Sequence, residues 1–347
     1  MAEVLFSTSE NGVATITLNQ PKAINALTYD MLLPIREKLL EWDENNAIRI
    51  VILKGAGSKG FCAGGDIKTL YQAREQHQDA LQAAEQFFAV EYKTDQLIAA
   101  FSKPIIAFLD GVIMGGGVGL SYGASHRIVT ERTKWAMPEM NIGFFPDVGA
   151  AYFLNKAPGY IGRYLALTAM TLRAADVLYI NGADAFIPSE RLPDLLNQLE
   201  TTNWHTGNTE DILQQHLDSY TDHPGTEGKL ADLQTQIDQH FSYDTVEAIV
   251  DSLTTDTSEF AVKTKEMLLT KSPVSLKVTL EQLIRGKGTL AACLQTDYIL
   301  AKHFMRHDDF FEGVRSVLID KDQNPQYKYK QLADVSDAFV DTFFKEL

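Results

Sequence analysis

The sequence predicts an α/β fold in which strands alternate with helices, followed by a helical region at the C-terminal end. Residues 12–19, GVATITLN, alternate between apolar and polar side chains, as a half-buried strand does. Residues 28–42 carry apolar side chains at helical spacing. Residues 48–57, IRIVILKGAG, are a β-branched run that ends in glycines, which is typical of a buried strand.

The same rhythm of strand, strand and helix continues through two further units. The second contains a predicted helix near residues 75–101, a strand over 104–111 and the glycine-rich segment 115–119. The third unit runs through RIVTE and KWAMPE, residues 127–139. From residue 259 onward the pattern is helical to the end.

This organisation predicts three parts. Residues 1–199 are expected to form the α/β core that carries the ligand site. Residues 200–258 are polar and rich in Gln, Asp, Thr and His, but they keep helical spacing, so we expect a helical insertion rather than disorder. Residues 259–347 are expected to form a C-terminal helical region that closes the site.

Composition restricts the partners that the chain can bind. Its 347 residues carry a formal net charge of −15, and nucleic acids and anionic membranes both require a basic surface. Neither is therefore expected as a partner. The most apolar region, residues 97–124, is interrupted by Lys103, Pro104 and Asp110, so no membrane span is expected.

Two further features predict the compartment. The only cysteines, Cys62 and Cys293, are expected to be reduced and packed in the interior. The first residues, MAEVLFSTSENG, contain neither a basic leader nor an apolar run of signal-peptide length. Both observations favour a cytoplasmic protein.

The segment MPEMNIGFFPDVG, residues 137–149, places Glu139 and Asp147 among apolar side chains. Ionised carboxylates are seldom buried unless they are paired, hydrogen-bonded or functional. Each acid alone could cap a helix, with Asp147 starting one at DVGAAYFL. A proton-transfer pair accounts for both acids in one segment, and the two hypotheses remain open on the residues alone.

Two glycine clusters, FCAGGD at 61–66 and GGGVG at 115–119, each follow a predicted strand. Glycines let main-chain N–H groups approach a ligand closely, and two such turns could form an oxyanion hole. The alternative is that both clusters are tight turns needed for packing. Neither cluster fits a nucleotide-binding motif.

The pentapeptide GLSYG, residues 119–123, fits the nucleophile elbow of serine hydrolases. That motif requires a serine directly after a strand, whereas Ser121 is predicted to lie inside a helix that begins around Gly115. Its hydroxyl should then donate to a preceding carbonyl. The histidines have no metal-binding spacing, so we expect no metal site and interpret them as solvated surface residues.

Three segments together, FCAGGDIKTL, LDGVIMGGGVGLS and WAMPEMNIGFFPDVGAAYFL, resemble the crotonase (enoyl-CoA hydratase/isomerase) superfamily. The likeness is strongest to its 3-hydroxyisobutyryl-CoA hydrolase branch, and it covers nearly the whole chain. The resemblance implies a crotonase-like spiral of strand–strand–helix units with a helical C-terminal region that helps to enclose an acyl-CoA.

The resemblance also implies roles for individual residues. The N–H groups of Gly65 and Gly116 correspond to the oxyanion hole. Glu139 and Asp147 correspond to the two catalytic acids of the hydrolases, and both would contact the substrate together with Gly116. Glu91 matches a substrate-binding glutamate of that branch.

The activity implied is hydrolysis of a short-chain 3-hydroxyacyl-CoA thioester, with 3-hydroxyisobutyryl-CoA from valine catabolism as the expected substrate. Coenzyme A is then part of the substrate, and no metal or other cofactor is expected. The alternative is an enoyl-CoA hydratase or isomerase, but hydratases carry a glutamate where this chain has Gly119. Relatives form trimers and hexamers, so the resemblance admits a homo-oligomer.

Overall fold

The computed structural model describes residues 2–74 and 79–347 of the chain. They form two compact units, each assembled from three segments of the chain. Unit 1 consists of Met1–Gly65, Lys93–Trp135 and Leu172–Gly228, and unit 2 consists of Asp66–Tyr92, Ala136–Thr171 and Lys229–Leu347. The division predicted at residues 199 and 258 remains a prediction.

The strands form two sheets. The described residues contain β1 (Val4–Thr8), β2 (Val13–Leu18), β3 (Ile50–Gly55), β4 (Gly60–Cys62), β5 (Ile105–Leu109), β6 (Val112–Met114), β7 (His126–Val129), β8 (Lys134–Ala136) and β9 (Ala185–Phe186). One sheet has the order β1-β2-β3-β5-β7-β9, and the other has the order β4-β6-β8. In the larger sheet β1 and β2 are antiparallel and the remaining pairs are parallel.

The α-helices occupy most of the second half of the chain. Those described are α1 (Tyr29–Glu44), α2 (Ile67–Arg74), α3 (Asp79–Ala99), α4 (Gly116–Tyr122), α5 (Ala150–Leu154), α6 (Ile161–Thr168), α7 (Ala174–Tyr179), α8 (Leu192–Thr201), α9 (Thr209–Tyr220), α10 (Leu230–Phe241), α11 (Val246–Thr255), α12 (Glu259–Leu269), α13 (Pro273–Arg285), α14 (Leu290–Phe304), α15 (Asp308–Val314) and α16 (Asp337–Thr342). Shorter 3₁₀ turns lie at Pro21–Ala23, Glu139–Ile142, Ser189–Arg191 and Leu332–Asp334, and a π turn lies at Arg315–Ile319.

The predicted mixed α/β class, the strand–strand–helix rhythm and the helical C-terminal region are confirmed. In each unit of the rhythm the first strand (β3, β5 or β7) joins the larger sheet and the second (β4, β6 or β8) joins the smaller. A helix follows the first two pairs, but the third pair leads into the short turn Glu139–Ile142. Of the helix predicted over 75–101, residues 75–78 lie outside the described residues.

One face of the larger sheet carries the core of unit 1. Its strands contribute alternating apolar side chains, as expected for a half-buried sheet. Helices α8 and α9 cover this face with leucines, and the buried cluster is Val13, Ile50, Ile52, Ile106, Phe108, Ile128, Ile187, Leu192, Leu195, Leu199, Trp204, Leu213 and Leu217. The predicted insertion 200–258 is helical, and its first full helix, α9, belongs to this core.

Two side-chain predictions have opposite outcomes. Cys62 and Cys293 are buried free thiols, as predicted. The interpretation of the histidines as solvated is wrong for His240, which is fully buried in unit 2. Its ring nitrogens lie 2.9 Å from the Ser252 hydroxyl and 3.0 Å from the Asp256 carboxylate, so helix α11 and the residue after it satisfy the buried ring.

Candidate active site

The two glycine turns of unit 1 lie against each other. Gly64, just after β4, has φ +101°, and its carbonyl accepts a hydrogen bond of 2.8 Å from the N–H of Leu27. A side chain at Gly64 would meet the Met114 carbonyl oxygen at 3.1 Å and the Gly116 nitrogen at 3.5 Å. Glycine is therefore required here, because it permits both the positive φ and the close approach of the second turn.

Gly65 and Gly116 present main-chain donors at these turns. Gly116 is the first residue of α4, and Gly65 forms a parallel bridge with Leu27. Among the backbone hydrogen bonds that link turns and caps in the described residues, none uses the N–H of Gly65 or of Gly116. Such N–H groups can stabilise an oxyanion, which is compatible with their predicted role. That role remains a prediction.

Ser121 lies inside α4, as predicted. Its hydroxyl donates to the carbonyls of Gly117 at 2.8 Å and Val118 at 3.2 Å, and the side chain is buried. A serine nucleophile must stand at a sharp turn directly after a strand. The helical position and the satisfied hydroxyl argue against a nucleophile elbow.

The two predicted acids are both buried in unit 2. Glu139 begins the 3₁₀ turn after β8, with Pro138 before it, and only 7% of the residue is exposed. Within the described part of the chain, its buried Oε2 has no hydrogen-bond partner. Neither acid caps a helix through its side chain: the N-cap residues are Pro138 and Gly149. The capping hypothesis is therefore wrong for both acids.

Asp147 is held by a tyrosine that the sequence analysis did not identify. The Tyr92 hydroxyl donates a hydrogen bond of 2.7 Å to Asp147 Oδ2, and both residues are at least 95% buried. Burial, followed by the charges of Asp147, Asp297 and Glu91, raises the pKa of Tyr92 well above 10.0. The phenol therefore remains a donor at neutral pH.

Burial raises the pKa of both acids, Glu139 and Asp147. Desolvation, followed by the charge of Asp147, raises the pKa of Glu139 well above 4.5. Desolvation raises the pKa of Asp147 to about 6, although the Tyr92 hydrogen bond acts in the opposite direction. Both acids are therefore harder to ionise than solvated carboxyl groups, and the charge of one opposes ionisation of the other.

Phenylalanine rings form an apolar cluster around Phe144, and one of them, Phe88, packs on Tyr92 with a centroid distance of 5.8 Å. Phe144 lies between the two acids in sequence, and its ring is surrounded by others on α3, α14 and α15. The ring centroids are 5.9 Å away for Phe88, 4.6 Å for Phe145, 5.4 Å for Phe304 and 5.1 Å for Phe310. Aromatic side chains offer no hydrogen bonds to a carboxylate, so burial in such an apolar part of the unit favours the protonated form of an acid.

Glu91, the predicted substrate-binding residue, precedes Tyr92 on α3 and is 2% exposed. Its charge contributes to the raised pKa of Tyr92. Glu91, Glu139 and Asp147 thus all lie in the buried part of unit 2, whereas Gly65 and Gly116 belong to unit 1. Their predicted roles remain predictions.

Within residues 2–74 and 79–347, no group of three or more His, Cys, Asp or Glu side chains is arranged to hold a metal ion. No helix in this part of the chain combines the length and apolar character needed to cross a membrane. The predicted lack of a metal or other cofactor remains a prediction.

The family profile of enoyl-CoA hydratase/isomerase matches residues 13–344. The chain belongs to this family. Among its curated relatives, the zebrafish (Danio rerio) protein named 3-hydroxyisobutyryl-CoA hydrolase, mitochondrial, is 42% identical over 100% of this chain and 90% of the relative. The human (Homo sapiens) protein of the same name is 38% identical over 100% of this chain and 89% of the relative.

Solved structures of family members have the same fold. A carnitinyl-CoA dehydratase from Mycobacterium thermoresistibile aligns with a TM-score of 0.91 and 33% identity, covering 99% of this chain and 97% of the other. An enoyl-CoA hydratase from Rhodobacter sphaeroides aligns with a TM-score of 0.89 and 33% identity, covering 99% and 98%. The predicted crotonase-like fold is therefore confirmed over almost the full chain.

Proposed function

We propose that this protein hydrolyses the thioester of a short-chain 3-hydroxyacyl-CoA, and that its substrate is 3-hydroxyisobutyryl-CoA of valine catabolism. The observation that carries this proposal is the buried acid pair: Glu139 has a buried Oε2 without a hydrogen-bond partner among the described residues, and Asp147 accepts a hydrogen bond of 2.7 Å from Tyr92. The names of relatives that are about 40% identical over the full chain support the choice of acyl group.

The reaction we propose begins with a proton transfer within the pair. Asp147 takes the proton of Glu139, and the Glu139 carboxylate then either attacks the thioester carbonyl or removes a proton from a water that attacks it. The thioester oxygen gains negative charge and accepts hydrogen bonds from Gly65 and Gly116, a type of donor worth about 3–4 kcal/mol. The CoA sulfur leaves with the proton held by Asp147.

If Glu139 attacks directly, the product of the first step is an anhydride between the acyl group and Glu139. Water then cleaves this anhydride, and Asp147 accepts the proton that the water loses. Both routes end with the hydroxy acid, free CoA and the acid pair in its starting state. The 3-hydroxyl group is a donor and acceptor that Glu91 or Asp147 can bind.

The second candidate is an enoyl-CoA hydratase, which is the name of the similar Rhodobacter sphaeroides protein. Hydration needs one group to activate water and another to deliver a proton. Hydratases place a glutamate at the position of Gly119, which has no side chain here. We therefore expect kcat/KM for crotonyl-CoA hydration to be at least about 10²-fold below that for 3-hydroxyisobutyryl-CoA hydrolysis.

One preparation of the purified protein tests these candidates. Thiol release is measured with 3-hydroxyisobutyryl-CoA and with isobutyryl-CoA, which lacks the hydroxyl, and crotonyl-CoA hydration is measured separately. Glu139→Gln should reduce hydrolysis by about 10²–10⁴. Faster hydration than hydrolysis, or a Glu139→Gln variant with more than about a tenth of wild-type turnover, would contradict the proposal.

The prediction about partners rests on composition. The charge of −15 supports a small-molecule substrate rather than nucleic acid or a membrane surface.

The named relatives are mitochondrial, so cell fractionation tests the predicted cytoplasmic location. Light scattering of the purified protein tests whether it forms a homo-oligomer, which the resemblance admits.

A further inference from the structure

The turn that carries Asp147 has an unusual backbone. Val148 has φ +51° and Gly149 has φ +82°, so two successive residues occupy the left-handed region. For a β-branched residue such as valine this conformation is strained, because its Cβ is crowded by the backbone. Strained conformations persist only where surrounding contacts determine them.

Two buried polar side chains make those contacts. The N–H of Gly149 donates to Asp297 Oδ2 at 2.7 Å, so the carboxylate holds the end of the turn. Gln282 Nε2 donates to the Pro146 carbonyl at 2.9 Å and to Asp297 Oδ1 at 2.8 Å, so the amide holds its start. Asp297 lies on α14 and Gln282 on α13, and both are at least 99% buried.

We propose that Gln282 and Asp297 form a clasp that positions Asp147 for proton transfer, and we term them the 282–297 clasp. The clasp fixes the residues on both sides of Asp147, and this directs its carboxylate toward the Tyr92 hydroxyl. The inference rests on the proposed function, in which Asp147 exchanges a proton with Glu139. Gln282 and Asp297 are positioning residues and do not touch the substrate.

Stability alone does not account for a carboxylate at position 297. None of the ion pairs formed by the described residues includes Asp297, although its side chain is fully buried. An apolar residue at such a site would avoid the desolvation of a carboxyl group. What the carboxylate supplies is two acceptors, one for each donor of the clasp.

This donor arrangement makes a sharp mutational test available. Both partners of Asp297 are N–H donors, and asparagine has only one acceptor oxygen. Asp297→Asn therefore has to present an amide NH₂ to one donor. The double variant Asp297→Asn with Gln282→Glu restores complementarity when the new buried carboxyl is protonated, because its O–H can then donate to the Pro146 carbonyl. The new amide donates to the other oxygen of that carboxyl, and the amide oxygen accepts from Gly149.

A matched control lies on the same helix as Gln282. The Thr279 hydroxyl is buried and has no hydrogen-bond partner in the described residues. Thr279→Val therefore changes a buried polar group on α13 without altering the clasp. We expect it to leave kcat and KM within about threefold of wild type, since no group of the proposed mechanism is touched.

The experiment measures kcat and KM with 3-hydroxyisobutyryl-CoA, and hydrogen exchange of the Gly149 amide. For Asp297→Asn we expect kcat to fall about 10²-fold with KM within about threefold, because a small misplacement of a reacting group has this effect. The Gly149 amide should exchange faster than in wild type. The double variant should recover at least about tenfold in kcat and part of the protection.

Three results would overturn the clasp: an Asp297→Asn variant with kcat within threefold of wild type, no recovery in the double variant, or an equal loss in Thr279→Val. If Asp297→Asn does not fold, the exchange experiment on wild type decides, since rapid exchange of its Gly149 amide also refutes the proposal. If wild type hydrolyses no acyl-CoA, the proposed function fails, but protection of Gly149 still tests the clasp.

Discussion

Replacing Asp147 by asparagine should stabilise the folded protein at neutral pH while removing most of its activity. Burial raises the pKa of Asp147 from 3.8 to about 6. Between these values the folded protein holds a proton that the unfolded chain has released, so the free energy of unfolding decreases as pH rises through this window. At about 1.36 kcal/mol per pH unit, the ionised carboxylate destabilises the fold by about 3 kcal/mol at pH 7.

Asparagine at position 147 does not titrate, so it removes this pH dependence of the free energy of unfolding, and its side chain has nearly the same shape as that of aspartate. Its amide oxygen can accept the hydrogen bond from Tyr92 that Asp147 Oδ2 accepts at 2.7 Å. The stability difference, variant minus wild type, should therefore be about 2–3 kcal/mol larger at pH 7 than at pH 4. Turnover should fall by about 10²–10⁴, the usual size of an acid–base contribution.

Urea unfolding at pH 4 and pH 7, followed by circular dichroism, measures the stability difference, and thiol release measures turnover. Asp251→Asn is the control, because Asp251 is exposed on α11 and lies in water in both the folded and unfolded states. A stability difference for Asp147→Asn that is equal at both pH values would refute the assignment of a raised pKa. Retention of more than about a tenth of the turnover would remove Asp147 from the mechanism.

Three more substitutions test separate parts of the site. Tyr92→Phe removes a hydrogen bond that favours the ionised form of Asp147. The acidic limb of the plot of kcat/KM against pH should therefore move to higher pH by about one to two units, and an unchanged limb would contradict this. Ser121→Ala should leave hydrolysis within a few-fold of wild type, whereas a loss of about 10⁴ would restore the serine nucleophile. Gly149→Ala should lower the free energy of unfolding by about 1–3 kcal/mol, because φ is +82° and Leu290 would lie 2.4 Å from the new Cβ. An unchanged midpoint in urea titrations would contradict this prediction.

The sequence could predict the local features, because local patterns determine them. The β-branched run at 48–57 and the glycines after it predicted a buried strand and a turn, and β3 with its successor β4 has this form. The same kind of argument placed Ser121 inside a helix with its hydroxyl donating to a preceding carbonyl. The burial of Glu139 and Asp147 could also be predicted, since few segments combine acids with so many apolar neighbours.

The partners of those acids could not be predicted, because they are distant in sequence and belong to no motif. Tyr92 lies 55 positions before Asp147, and Asp297 lies 148 positions after Gly149. An isolated tyrosine on a helix, or an aspartate in the apolar helix α14, resembles many residues that only pack or face solvent. The buried His240 was missed for the same reason: its partners become visible only when α10 and α11 are folded together.

The arrangement of unit 2 explains why a helical C-terminal region accompanies this acid pair. An ionised Asp147 destabilises the fold by about 3 kcal/mol, and a valine in the left-handed region adds on the order of 1–3 kcal/mol. The side chains that hold Asp147 and the residues beside it, Tyr92, Gln282 and Asp297, all lie outside the 137–149 segment. Helices α13, α14 and α15 supply what is missing: Phe304 and Phe310 pack on Phe144, and the 282–297 clasp holds the turn. Helices distant in sequence therefore stabilise the strained and buried conformation at the residues to which we assign the proposed proton transfer.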